Sequence, residues 1–73
     1  MERKSIVGKR IAYYRRRRGY TQKKVSEQLN VSIQAVSKWE KGLTCPDIML
    51  LPRLADLFGV KIDDLFENRD GKD

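Results

Sequence analysis

Between Thr21 and Gly42 the chain reads T-Q-K-K-V-S-E-Q-L-N-V-S-I-Q-A-V-S-K-W-E-K-G, a stretch that leaves few ways to fold. It holds two short amphipathic segments, each opened by a hydroxyl residue that can accept from the free N–H groups of a first helical turn. Only a few residues around Asn30 join them, so the two helices must pack as neighbours. At ~100° per residue, Ala35, Val36 and Trp39 fall on one side of the second segment. Ile33, Gln34, Ser37, Lys38 and Lys41 fall on the other. A helix held down by a large aromatic and two small apolar residues, with amide, hydroxyl and amine groups outward, suits a DNA groove better than an enzyme pocket.

Seventy-three residues make one domain at most, with a core expected over about 5–67 and a polar tail, 68–73, expected to fray. A chain of this size buries only ~60% of its unfolded surface, which leaves little core to give up to a substrate cavity. No apolar run is long enough to span a bilayer, and no signal-peptide pattern is present. Cys45 is the only cysteine, so neither an internal disulfide nor a zinc site is expected, and a reducing, cytoplasmic setting is. The absence of histidine removes the commonest general base and metal ligand. No cofactor is expected.

Charge is uneven. Residues 1–41 carry twelve Lys or Arg against three Glu, whereas residues 42–73 carry four against seven acidic residues. The basic surplus thus coincides with the two-helix unit, as expected of a phosphate-binding face, although charge alone equally suits a soluble protein of high pI.

Periodicity predicts an all-α chain of five helices and no strand. The first runs from Ser5 to Arg18, with Val7, Ile11 and Tyr14 on one face and Gly19 as its stop. The second follows Thr21 as N-cap to Leu29 and buries Val25, Ser26 and Leu29. The third follows Ser32 as N-cap and ends before Gly42. The fourth occupies Asp47 to Phe58, with Ile48, Leu51, Leu54, Ala55 and Phe58 inward and Gly59 as stop. The fifth covers Ile62 to Glu67, burying Ile62, Leu65 and Phe66, with Asp63 and Asp64 favouring its dipole. Pro52 breaks the fourth pattern. In a regular interior it costs ~3 kcal/mol, so either a kink or a separate tight turn over residues 47–51 is expected.

Several pieces of the chain carry a family likeness. They are Val7-Gly8-Lys9-Arg10-Ile11, Arg15, Gly19-Tyr20-Thr21-Gln22, Val31-Ser32, Val36-Ser37-Lys38-Trp39-Glu40-Lys41-Gly42, Pro46, Leu54-Ala55 and Gly59-Val60. In this order they resemble the lambda-repressor-like helix-turn-helix domain of the Cro/C1 (XRE) type, over roughly residues 5–67. The resemblance implies a compact five-helix domain whose third helix enters the major groove. It also implies a bacterial or phage transcriptional regulator, expected to be a repressor, that binds a pseudo-palindromic DNA operator as a homodimer.

Individual residues can then be given roles. Gln22 opens the second helix, where its amide and free backbone N–H groups suit a phosphate. Lys23 and Lys24 oppose the helix dipole by ~0.3–1 kcal/mol each, a cost a nearby phosphate reverses, although Lys24 equally suits a solvated basic face. Gln34 is the leading base reader, since its amide can pair with adenine N6 and N7. Lys38 can reach guanine or a phosphate, and Ser37 a base or the backbone. Ser32 is chiefly a cap and secondarily a phosphate contact. Ile33 departs from the family, which often has a polar residue there; it either touches a thymine methyl or is a filler.

The resemblance implies an Arg15–Glu40 ion pair that ties the first helix to the end of the third. Arg16 to Arg18, with Lys9, Arg10 and Lys41, either attract phosphate or complement a helix dipole; Arg10 and Lys41 are assigned to phosphate. Trp39, Tyr14 and Phe58 read as core. Leu57, Phe66 and Met49 or Leu50 are the candidates for a dimer interface. A protein-interaction module, such as an antitoxin or adaptor built on helices four and five, is the alternative function. An enzyme is not expected, because no nucleophile–base pair is present and Asp63 and Asp64 diverge.

Overall fold

A computed structural model describes residues 3–67 of the chain. Among the described residues four α-helices form: α1 Arg3–Arg17, α2 Gln22–Leu29, α3 Ile33–Glu40 and α4 Leu51–Phe58. Two 3-10 turns, Ile48–Leu50 and Ile62–Leu65, complete the order, and no strand occurs among the described residues. The caps stand where the hydroxyl residues were expected to put them. Thr21 Oγ1 accepts the Lys24 N–H at 3.0 Å, and Ser32 Oγ accepts the Ala35 N–H at 3.0 Å. Each satisfies a donor that the helix leaves unpaired at its start.

All four helices end in one way. A residue in the left-handed region follows the last turn (Gly19, Asn30, Gly42 and Gly59, φ between +59° and +76°). The N–H of the next residue then reaches back to a carbonyl five residues earlier: Tyr20 to Arg15, Val31 to Ser26, Leu43 to Lys38 and Val60 to Ala55, at 2.9–3.0 Å. This is the Schellman closure. Asn30, whose side chain tolerates the left-handed region better than most, therefore makes the tight turn between α2 and α3.

The core is Val7 and Ile11 of α1, Val25 and Leu29 of α2, Val36 and Trp39 of α3, Leu54, Ala55 and Phe58 of α4, and Leu65. Three expectations need correction. The fifth helix is a single 3-10 turn, because its only buried side chain is Leu65; Ile62 and Phe66 are exposed, so no apolar stripe drives further turns. The fourth helix starts at Leu51 rather than Asp47, the second of the two outcomes expected of Pro52, which lies in its first turn, where a missing N–H costs nothing. The preceding residues form a separate turn held by Asp47, whose Oδ1 accepts the Met49 N–H at 2.8 Å. That break shifts the phase of the helical pattern, and Ile48, expected inward, is 75% exposed. The first helix begins two residues earlier than expected, at Arg3. The polar tail lies outside the described residues.

Candidate nucleic-acid interface

The helix pair α2–α3 presents one side to solvent, and the side chains meet there in a single open concavity of about 470 Å³. Gln22, Ile33, Gln34, Ser37, Lys38, Lys41 and Leu43 line it. Gln34, Lys38 and Lys41 are exposed and Ser37 is half-buried. Ile33 is 43% exposed, since the inward face of α3 is taken by Val36 and Trp39. The concavity therefore offers two amides, a hydroxyl and two ammonium groups, with apolar surface at Ile33 and Leu43.

A clamp at the far end of α3 holds this face in position. Arg15 Nε donates to Glu40 Oε2 at 2.6 Å and Arg15 Nη2 to Oε1 at 3.1 Å, a two-pronged pair whose side chains are 14% and 8% exposed. Arg15 Nη1 also donates to the Tyr20 carbonyl at 3.0 Å, tying the loop after α1 to the same guanidinium. Gln22 Nε2 adds a third donor to the carboxylate, reaching Oε1 at 3.0 Å. Two parallel charge-assisted bonds fix both distance and orientation, so α1, the start of α2 and the end of α3 are locked together. Because a carboxylate accepts only, the amide nitrogen of Gln22 must face Glu40. One N–H and the amide oxygen remain for an outside partner.

The other residues assigned to phosphate fare differently. Lys23 lies on the exposed side of α2 and pairs with Glu27 at 3.1 Å, an exposed i,i+4 contact worth only ~0.3–0.5 kcal/mol. Lys24 sits 5.9 Å from the Tyr20 ring centroid. Ser32 remains exposed, with its oxygen occupied as the cap. Arg10 is a correction. It is 3% exposed, its guanidinium carbon lies 4.7 and 4.9 Å from the Tyr13 and Tyr14 ring centroids, and Nη2 donates to the Tyr14 hydroxyl at 2.9 Å. A phosphate cannot reach it. Residues 7, 10, 11 and 14 share one helical face, and that spacing could have placed Arg10 inside.

Two contributors were not singled out from the sequence. Gly8 lets α1 approach the last turn of α3, where a Cβ would collide with the Trp39 carbonyl. Leu43 follows the left-handed Gly42 and forms part of the concavity wall. Its signal was an apolar residue directly after a helix-stopping glycine.

Two capped helices joined by a left-handed turn, the second with a polar outer face and clamped at its end, define a helix-turn-helix. A family model described as helix-turn-helix matches residues 11–65. The HTH-type transcriptional regulator ImmR of Bacillus subtilis is 37% identical over 67 residues, covering 92% of this chain and 50% of that protein. An HTH-type transcriptional regulator of Methanocaldococcus jannaschii is 39% identical over 57 residues, covering 78% of this chain and 86% of that one. Among solved structures, the SOS-response transcriptional repressor LexA from Eubacterium rectale superposes with a TM-score of 0.86 at 27% identity, over 97% of this chain and 76% of that chain. The chain belongs to the helix-turn-helix family of DNA-binding transcriptional regulators, in its Cro/C1 (XRE) branch. It spans half the length of ImmR.

Proposed function

We propose that the chain represses transcription by binding a specific double-stranded DNA site, with α3 in the major groove and a second copy on a pseudo-palindromic half-site. The observation that carries this reading is the outer face of α3. Gln34, Ser37 and Lys38 project together from a helix whose inner face is buried and whose end is clamped by Glu40. Such a face can form paired hydrogen bonds with base edges. Gln22 and Lys23 in the first turn of α2, Ser32 at the start of α3 and Lys41 at its end serve as the phosphate contacts that set the docking angle. The likeness to a protein named as a repressor supports the direction of regulation.

Of the apolar residues expected at a dimer interface, Leu50 and Leu57 are partly buried against the core, and the exposed Met49 and Phe66 are the proposed contacts. They stand on the segments flanking α4, and neither lines the concavity beside α3. Two copies would place their α3 helices roughly 34–36 Å apart, one turn of DNA. The protein is taken to act in the cytoplasm, on the nucleoid.

Selection of bound sites from random DNA, followed by sedimentation of the complex, tests operator, stoichiometry and spacing together. Enrichment of an inverted repeat with two chains per duplex is the expected result. Affinities that stay near ~10⁻⁴–10⁻⁶ M for every duplex would refute sequence-specific binding. A selected site with no inverted repeat and one chain bound would remove the dimer alone.

A further inference from the structure

The four helix ends supply an internal comparison. In each, the residue after the left-handed one is apolar: Tyr20, Val31, Leu43 and Val60. That residue normally folds over the last turn of its helix and covers it. Tyr20, Val31 and Val60 do this and are partly buried against the core. Leu43 is 60% exposed. The difference is local: Lys38, whose carbonyl accepts the Leu43 N–H, is exposed, whereas Arg15, Ser26 and Ala55, which stand at the corresponding place in the other three, are half-buried or buried.

Leu43 is nevertheless held in place. Its N–H to the Lys38 carbonyl measures 3.0 Å, and the Gly42 N–H meets the Trp39 carbonyl at 3.0 Å. Gly42 itself is at φ +76°, a conformation that L side chains rarely adopt, with Ser5 against it: a Cβ there would stand 3.0 Å from Ser5 Oγ. The backbone that carries this large apolar side chain is therefore fixed at the edge of the concavity that Gln34, Ser37, Lys38 and Lys41 also line. The two lysines beside it call for a polyanionic partner. On the major-groove surface of such a partner, the apolar feature is the thymine 5-methyl group.

We propose that Leu43 seats the 5-methyl group of a thymine in the half-site, a specificity determinant outside the reading helix. The proposal rests on the DNA-binding reading above. The eight residues of α3 span roughly 12 Å, so this thymine lies about three to four base pairs from the bases met by Ile33 and Gln34.

The test uses the full chain and a duplex that it selects from random DNA, with each thymine replaced in turn by deoxyuridine, which lacks only the methyl. One thymine should show about fourfold weaker binding on replacement, the effect of removing one buried methyl-sized group. Leu43→Ala should bind the unmodified duplex about fourfold weaker or worse, and should lose all further sensitivity at that thymine. Leu43→Met, which keeps an apolar arm, should retain it. Circular dichroism checks that both variants keep the helices, and the deoxyuridine series on the unaltered chain needs no variant at all. If no thymine is sensitive, or if the Leu43→Ala variant keeps every sensitivity of the original chain, the proposal is overturned while DNA binding stands. If no duplex is enriched, the DNA-binding reading falls and takes this one with it.

Discussion

Gly8 in α1 lies directly against the main-chain carbonyl of Trp39 in α3, with no space between them for a Cβ. A built Cβ would also stand 3.2 Å from the Glu40 carbonyl oxygen, so the contact is backbone against backbone. In mid-helix, glycine is about 0.5–1 kcal/mol worse than alanine, and propensity alone would favour replacing it. Packing reverses that preference. Gly8→Ala should destabilise the fold by about 1–3 kcal/mol, because neither carbonyl can move without shifting α3. Urea denaturation reads the effect directly, and a more stable variant would show that α1 and α3 are not pressed together.

The Arg15–Glu40 pair should behave as a coupled unit. Either single change to alanine leaves a largely buried charge without its partner, at a cost of about 3–5 kcal/mol. The double change should cost less than the sum of the two, and a double-mutant cycle measures the difference. A coupling near zero would mean that the two-pronged geometry adds nothing to stability. Glu40→Ala should also weaken DNA binding more than its effect on folding explains, since Gln22 loses its anchor.

Arg10 and Lys41 separate burial from phosphate contact. Lys41→Ala should leave the fold unchanged and reduce the slope of log affinity against log salt by about 1. Arg10→Met should do the reverse. It should lose about 2 kcal/mol or more of stability through its contacts with Tyr13 and Tyr14, with the salt slope intact. If Arg10→Met changed the slope by as much as Lys41→Ala, the inward placement of Arg10 would be refuted.

Gln34→Ala should relax discrimination at one base position by about 1–3 kcal/mol. Lys23→Ala should weaken all duplexes nearly equally. Binding measured against a set of single-base variants of the selected duplex distinguishes the two patterns. A uniform loss in the Gln34 variant would move that residue from base reading to docking.

The parts of this fold that were legible in the sequence are those decided within a few residues. Thr21 and Ser32 cap their helices because a hydroxyl three residues before a free N–H needs nothing from the rest of the chain. Gly19, Gly42 and Gly59 stop theirs for an equally local reason. Ile48 and Phe66 were misplaced because apolar spacing says that a side chain could be buried, not whether a neighbour stands there to bury it. The Asp47 turn and Pro52 rotate Ile48 away, and the last 3-10 turn is too short to carry Phe66 inward.

Within the site, the outer face of α3 followed from angle alone. Arg10 did not, because a guanidinium enters a core only where aromatic rings and a hydroxyl receive it, and that depends on Tyr13 and Tyr14 being arranged around it. Leu43 was overlooked for the opposite reason. An apolar residue directly after a helix-stopping glycine also describes Tyr20 and Val60, which lie partly buried, and the folded chain singles out Leu43 as the uncovered one.

Glu40 gives the molecule a division that bears on redesign. It anchors α3 from the last turn, while Ile33, Gln34, Ser37 and Lys38 occupy the other side and take no part in the clamp with Arg15 and Gln22. The positions proposed to read bases should therefore tolerate rewriting while the docking frame stays put. A variant library confined to those four positions should retarget the domain to new DNA sequences at little cost in stability, whereas a library that included position 40 would lose the frame along with the address.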